Sequence, residues 1–299
     1  MEIKINYKDY PEFMFAMIAA YLPEDQGIYL RRVAGHVVFR HDKDGSTYKN
    51  GALHSFDDKP AQITYDRFAI WYKNGKVHRD GDLPAVIDLK NPETYLKWYK
   101  NGVLHRDDDL PAIIDGKNYR QWYKNGMLHR DGDLPAYIYN SHLKWYKNGM
   151  LHRDGDKPAV TRPPSYSEWY KNGQLHREGD LPAVISNINN ISVQEWWVDG
   201  ILYREGDKPA RIKGNIQMWY LDGKIGRLGD KPAVISGNRK EWYINGLLGR
   251  DNDLPAVIDG DRQEWYRNGV LHREGDKPAF IYRERKECWY AGKLVKKFG

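Results

Sequence analysis

Residues Trp122 to Ile138 read WYKNGMLHRDGDLPAYI, and variants of this stretch recur along most of the 299-residue chain. Tyr123-Lys124 and Met127-Leu128 flank Asn125-Gly126, a dipeptide suited to a type I′ turn because both central residues need φ > 0. In that register Tyr123 faces Leu128 on one side and Trp122 faces His129 on the other. A polar turn, Asp131-Gly132-Asp133, comes next. Pro135-Ala136 then opens a run that is β-branched in copies such as Val257-Ile258. The proline fits a strand start or edge, where its missing N–H costs nothing. No copy shows the 3.6-residue apolar period of a helix.

The chain has 11 Trp, all from position 71 onward. Ten of them are read as unit openers: Trp71, Trp98, Trp122, Trp145, Trp169, Trp196, Trp219, Trp242, Trp265 and Trp289. A degenerate copy starts at Tyr48 (YKNGALHSFDDKPAQI), and a truncated one runs from Trp289 to Lys293. Length varies only between the Ile that closes a block and the next Trp, from residues 139–144 at the shortest to 88–97 and 186–195 at the longest. The fixed block therefore carries the packing, and the variable piece is a solvent-facing turn. The expected fold is all-β: an extended, twisted antiparallel meander of about ten hairpin units of about 23–27 residues, with two to three strands each. A unit alone has nothing to bury against, so stability comes from neighbour on neighbour.

Composition agrees. Mean hydropathy is −0.81, yet 13 % of residues are aromatic, and Tyr and Trp far outnumber the 7 Phe. Forty-seven Lys and Arg against 41 Asp and Glu leave a net charge of +6, too small for disorder by charge repulsion. A single cysteine, Cys288, excludes an intramolecular disulfide framework and a multi-cysteine metal site, and suits a reducing compartment. No run is long and apolar enough for a membrane helix, and Met1 to Tyr10 lacks the basic and apolar regions of a secretory signal. A cytoplasmic location is expected.

At Trp-Tyr-x-Asn-Gly-x-Leu the chain resembles MORN repeats and their bacterial variants. The longer form W-Y-x-N-G-x-L-H-R-x-x-D-[LK]-P-A is similar to arrays of giant DNA viruses of amoebae and some large phages. The resemblance covers residues 48–292. Where MORN repeats carry a second Gly-x-Gly element, this chain has His-Arg-x-x-Asp-x-Pro-Ala, so the match to MORN proper is partial. The resemblance implies a β-hairpin array for binding or scaffolding, with protein partners or self-association, no catalytic residues, and host cytoplasm or virion as its location if virus-encoded.

The repeated polar residues do not assemble a reaction centre. His recurs at His54, His78, His105, His129, His152, His176 and His272. Equivalent positions two strands apart lie about 10 Å from one another, whereas zinc holds its ligands at about 2 Å. No catalytic, metal or cofactor-binding residue is assigned. Arg130 and Asp133 are read as a bridge inside one unit, pinning the turn before the proline. A nucleic-acid-binding array is a weaker alternative, since a groove tracking a phosphate backbone needs unpaired positive charge and each Arg here has an Asp nearby.

Three consecutive copies, residues 196–258, depart together. The Lys before the turn (Lys73, Lys100, Lys124, Lys147, Lys171) becomes Val198, Leu221 and Ile244, and the His becomes Tyr203, Gly226 and Gly249. Val198 should oppose Ile201, and Ile244 should oppose Leu247, at hairpin tips where solvent is expected. The two glycines should leave the faces of Trp219 and Trp242 open. These residues form an expected apolar docking strip for a partner protein, or for another part or copy of this chain.

Residues 1–47 are not repeat-like, and 48–299 form the array. PEFMFAMIAAYL, from Pro11 to Leu22, reads as a helix with proline in its first turn, giving a short helical N-terminal cap. The order from Tyr10 to Val37 also resembles the opening of an F-box, with Tyr21-Leu22-Pro23 and Leu30-Arg31-x-Val33. That resemblance implies docking to a Skp1-type adaptor, with the repeats selecting a protein for a host ubiquitin ligase. The leading expectation is a non-enzymatic interaction scaffold, and the F-box-type adaptor is the alternative.

Overall fold

The computed structural model describes residues 28–33, 36–41, 46–49, 51–65 and 67–298, with side chains from residue 46 onward. All regular elements among these residues are β-strands. The helix expected over Pro11–Leu22 lies outside the described residues, as does the F-box-like order up to residue 27. Ile28–Val33 and His36–His41 are strands, and they join Ser46–Lys49 and Ala52–Leu53 in a four-stranded antiparallel sheet.

One repeat shows how the rest is made. Tyr99–Lys100 and Val103–Leu104 form a two-stranded tip, with Tyr99 opposite Leu104 and Lys100 opposite Val103. Asn101 and Gly102 both have positive φ, 53° and 89°, which a type I′ turn requires. Trp98 is the joint between tip and main sheet. Its N–H donates to the Ala112 carbonyl at 2.8 Å, and its own carbonyl accepts the His105 N–H at 3.2 Å. Because that residue bonds in two directions, the strand breaks there. Ile113–Asp115 and Tyr119–Gln121 then continue in the main sheet. Each unit therefore has four short strands, two in the tip and two in the sheet, rather than the two to three expected from the pattern.

The main sheet is a long antiparallel meander of 21 strands, from Gln62–Thr64 to Lys293–Phe298. The described residues divide into two compact units, those up to 140 with 145–149, and 141–144 with those from 150 onward. In the first, Tyr95–Lys97 lies between Val86–Asp88 and Ile113–Asp115. In the second, Val234–Ser236 lies between Ile216–Met218 and Arg239–Glu241.

The core is written once per repeat. The Ala of each repeated Pro-Ala is 0–1 % exposed, from Ala61 to Ala279, and the unit-opening tryptophans from Trp71 to Trp265 are 6–9 % exposed. The alanine must be small because its side chain is fully enclosed, and its backbone is held from both sides so it cannot move away. Ala256, for example, donates its N–H to Glu264 and accepts from the Trp242 N–H, each at 2.8 Å. One position differs from the sequence reading: Trp289 does not open a unit. Buried Cys288 takes the Trp place, its Sγ 3.6 Å from the Asp276 carbonyl. Trp289 stands where other copies have Tyr, its indole donating to Glu287 at 3.0 Å, as the Tyr266 hydroxyl does to Glu264 at 2.9 Å.

Successive repeats are joined by a lock that crosses the unit boundary, which corrects the bridge expected inside one unit. Arg130 does not pair with Asp133. Its Nε and Nη2 donate to the two carboxylate oxygens of Asp109, one repeat earlier, at 2.8 and 2.9 Å. The guanidinium lies 3.9 Å from the centre of the Trp122 ring, and Nη1 reaches the Pro135 carbonyl. The Asp109 carbonyl in turn accepts the Trp122 indole N–H at 3.0 Å. Asp109 has φ 52°, a left-handed conformation that turns its carbonyl and carboxylate toward the next repeat. The same fork recurs at Arg79–Asp58 and Arg106–Asp82 in the first unit, and at Arg204–Asp180 and Arg273–Asp253 in the second.

Candidate interaction surface

In regular copies the tips are closed by a polar network. Lys124 Nζ is 3.0 Å from Asp131, and His129 Nε2 is 2.9 Å from the same carboxylate. His129 Nδ1 accepts the Asn148 N–H of the next tip at 3.0 Å. The set repeats with Lys73, Asp80 and His78, and with Lys100, Asp107 and His105. The hydrogen bond from Lys73, then that from His78, lowers the Asp80 carboxyl to about 2. In the second unit Lys171 pairs with Glu178, and Arg267 and His272 share Glu274. Successive tips also touch through the turn glycine. A Cβ on Gly126 would sit 3.4 Å from Val103, and one on Gly173 would sit 3.7 Å from Met150.

The three divergent copies lie in the second unit, and their tips keep the hairpin geometry while losing the network. Val198 opposes Ile201 and Ile244 opposes Leu247, in the register read from sequence. These four side chains are 41–51 % exposed. Between them, half-buried Leu221 opposes Lys224. The tips follow one another in contact, Gly223 against Ile201, Gly246 against Lys224 and Gly269 against Leu247. The apolar side chains thus lie along one row of tips, with Lys224 between Ile201 and Leu247.

The tryptophans do not belong to it. Trp219 and Trp242 are 6 and 7 % exposed. The ring faces expected to be open are covered by Arg227 and Arg250, each 3.9 Å from the ring centre. In regular copies, too, it is this arginine that lies over the indole, while the His side chain turns to the next tip. Gly226 and Gly249 are buried, and the space a His would use is taken by the substituted tip residue. Leu221 Cδ1 and Ile244 Cδ1 each lie 3.6 Å from the Cβ position of their glycine. Lys→Leu with His→Gly, and Lys→Ile with His→Gly, are therefore paired exchanges of volume.

One strip residue went unread in the sequence. Leu228 is 75 % exposed, at the position where regular copies place the acid of the network. The signal was available, since Leu replaces an Asp or Glu directly after the repeated Arg. The network positions at this tip thus diverge three times, at Leu221, Gly226 and Leu228, beside the Asp222 that replaces the turn Asn.

Among the described residues no group of His, Cys, Asp and Glu is placed to hold a metal ion, and no helix is long and apolar enough to cross a membrane. Buried carboxylates do occur, each with partners. Asp88 accepts both nitrogens of the Arg67 fork, the Lys90 N–H and the Asn91 amide, which fixes one of the longest turns. Arg67 holds its carboxyl at about 2. Glu264 is bound by Arg262 and Tyr266, and burial followed by that bond pushes the Tyr266 phenol up to about 12. Compared with known families and curated proteins, the chain matches no family model and no curated protein.

Proposed function

We propose that the chain is a non-enzymatic repeat scaffold that docks a protein partner through the strip at Val198, Ile201, Leu221, Ile244 and Leu247. One observation carries this reading. Two tips, with the Leu221–Lys224 tip between them, expose aliphatic pairs, and in each the residue at Val198 or Ile244 stands where regular tips place the lysine of the network. Exposed apolar patches of this kind mark interaction sites. The repeated arginines are engaged with aspartates of the preceding repeat, which removes the free positive charge a nucleic-acid groove needs. The resemblance to MORN-like arrays supports the same direction.

The test replaces Val198, Leu221 and Ile244 with Lys, the residue of regular tips. Partner capture and oligomeric state, the latter by light scattering, are compared with those of the unaltered chain. Loss of a contact supports the strip. Retention of every partner and every self-contact refutes it.

A further inference from the structure

The strip carries charge as well as apolar surface, and the charge is one-sided. The three copies lose the cation and the histidine of each tip, but two of them keep the acid. Glu205 stands where Asp131 stands in a regular copy, next to Val198 instead of a lysine. Asp251 holds the same place next to Ile244. Both are exposed, and neither forms an ion pair among the described residues. Two of the three turns also replace Asn with Asp, at Asp199 and Asp222. The Asp199 N–H donates to His176 Nδ1 at 3.2 Å and its carboxylate lies 2.9 Å from the same nitrogen, while Asp222 has no ion-pair partner among the described residues.

The only cation at these tip positions is Lys224. Nearby lysines are already committed, Lys208 to Asp180, Lys231 to Asp207 and Lys277 to Asp253, each at 2.7–2.8 Å. A chain with a net charge of +6 thus presents an acidic apolar strip. Two such strips would repel one another, which disfavours face-to-face pairing of two copies, and a nucleic acid or anionic membrane is repelled for the same reason.

Resting on the docking reading above, we propose that the occupant is a cationic amphipathic polypeptide segment. Its aliphatic side chains lie against Val198, Ile201, Ile244 and Leu247. Its Lys or Arg side chains meet Glu205, Asp222 and Asp251. These three carboxylates steer and orient the segment, and the aliphatic contacts hold it.

The full chain is titrated with three fluorescent peptides of equal length that alternate Leu with Lys, Leu with Gln, or Leu with Glu. Titrations run at about 0.1 M and about 1 M salt, where the screening lengths are about 10 and 3 Å. The Lys peptide should bind tightest and the Glu peptide weakest, and the Lys advantage should vanish at high salt. The triple variant E205Q, D222N, D251N alters only exposed side chains. It should bring the Lys peptide to the affinity of the Gln peptide, a loss of about tenfold for three exposed charge contacts.

Equal affinity for Lys and Gln peptides, an unchanged Lys affinity in the triple variant, or no binding of any peptide overturns the cationic occupant. The docking strip itself fails on a different result: Lys-peptide binding that survives Val198→Lys with Ile244→Lys.

Discussion

The lock between repeats makes a prediction that its rival cannot. Asp109 has two arginine candidates, Arg106 of its own repeat and Arg130 of the next, and the structure pairs it with Arg130 alone. Replacing Arg130 with Met keeps the bulk over Trp122 but removes the guanidinium. The cation–π contact at 3.9 Å is worth about 1 kcal/mol at a largely covered site. The forked pair is discounted to about 1 kcal/mol because the Asp109 side chain is 49 % exposed. The expected loss is about 2 kcal/mol.

A repeat array need not unfold in one step, so the readout is local: hydrogen exchange of the Trp122 indole N–H, which donates to Asp109. At about 1.4 kcal/mol per tenfold, exchange should speed up about 30-fold. Asp109→Asn completes a double-mutant cycle, because Asn tolerates the left-handed backbone and keeps the carbonyl that binds the indole. Arg130 and Asp109 should couple by about 1 kcal/mol. Arg106 and Asp109 should be additive within about 0.5 kcal/mol. Stronger coupling to Arg106 would show that the bridge lies inside the unit and that the lock is misassigned.

Three further outcomes follow from the same contacts. Ala256 has no exposed surface, so Ala256→Leu should overpack the repeat, cost about 2 kcal/mol and lower the melting temperature by roughly 4–8 °C in a unit of this size. Asn245 turns a type I′ tip at φ 50°, and Asn245→Ala should cost roughly 1–2 kcal/mol in urea unfolding through the left-handed conformation alone. Bonds from Arg79, Arg177, Arg204 and Arg250 lower the carboxyls of Asp58, Asp156, Asp180 and Asp230, with Asp180 at about 2. A folded value below the unfolded one gives stability that is complete above about pH 4 and lost as pH falls toward 2. Urea midpoints across that window should decline, and Asp180→Asn should flatten the decline.

The tip hairpins were legible because their information is local. Asn-Gly fixes a turn, the turn fixes the register, and Tyr99 opposite Leu104 follows without knowledge of the rest. The Arg–Asp partner was not legible, because Arg130 has an Asp three residues later and another 21 residues earlier in the same motif. Only the stacking of repeats chooses between them. The same limit hid what covers the tryptophans. Sequence register places His129 across from Trp122, and their backbones do bond there. The His side chain, however, leaves for the next tip, and Arg130 takes the ring. At the last copy, taking Trp289 as an opener shifts the frame by one residue; the buried Cys288 restores the 23-residue step from Trp265.

The lock and the strip use separate residues, and that separation is what lets the array vary its surface. In the divergent copies the lock is whole. Arg227 reaches Asp207 and Arg250 reaches Asp230, each with Nε at 2.6 Å, and both still bond their own proline carbonyls. The exchanges fall instead on the tip, where a residue meets only its cross-strand partner, the next turn glycine and solvent. A charge network of exposed lysines and acids contributes little to stability, about 0–1 kcal/mol per pair, so removing it in three copies is cheap for the fold. Val198, Ile201, Ile244 and Leu247 bury about half of their surface on folding, which offsets part of that loss, while 41–51 % of each stays in water. Folding leaves that remainder unburied at two tips, on either side of the one that pairs Leu221 with Lys224. The docking proposed above would bury that remainder and recover the hydrophobic contribution that the folded chain alone leaves unused.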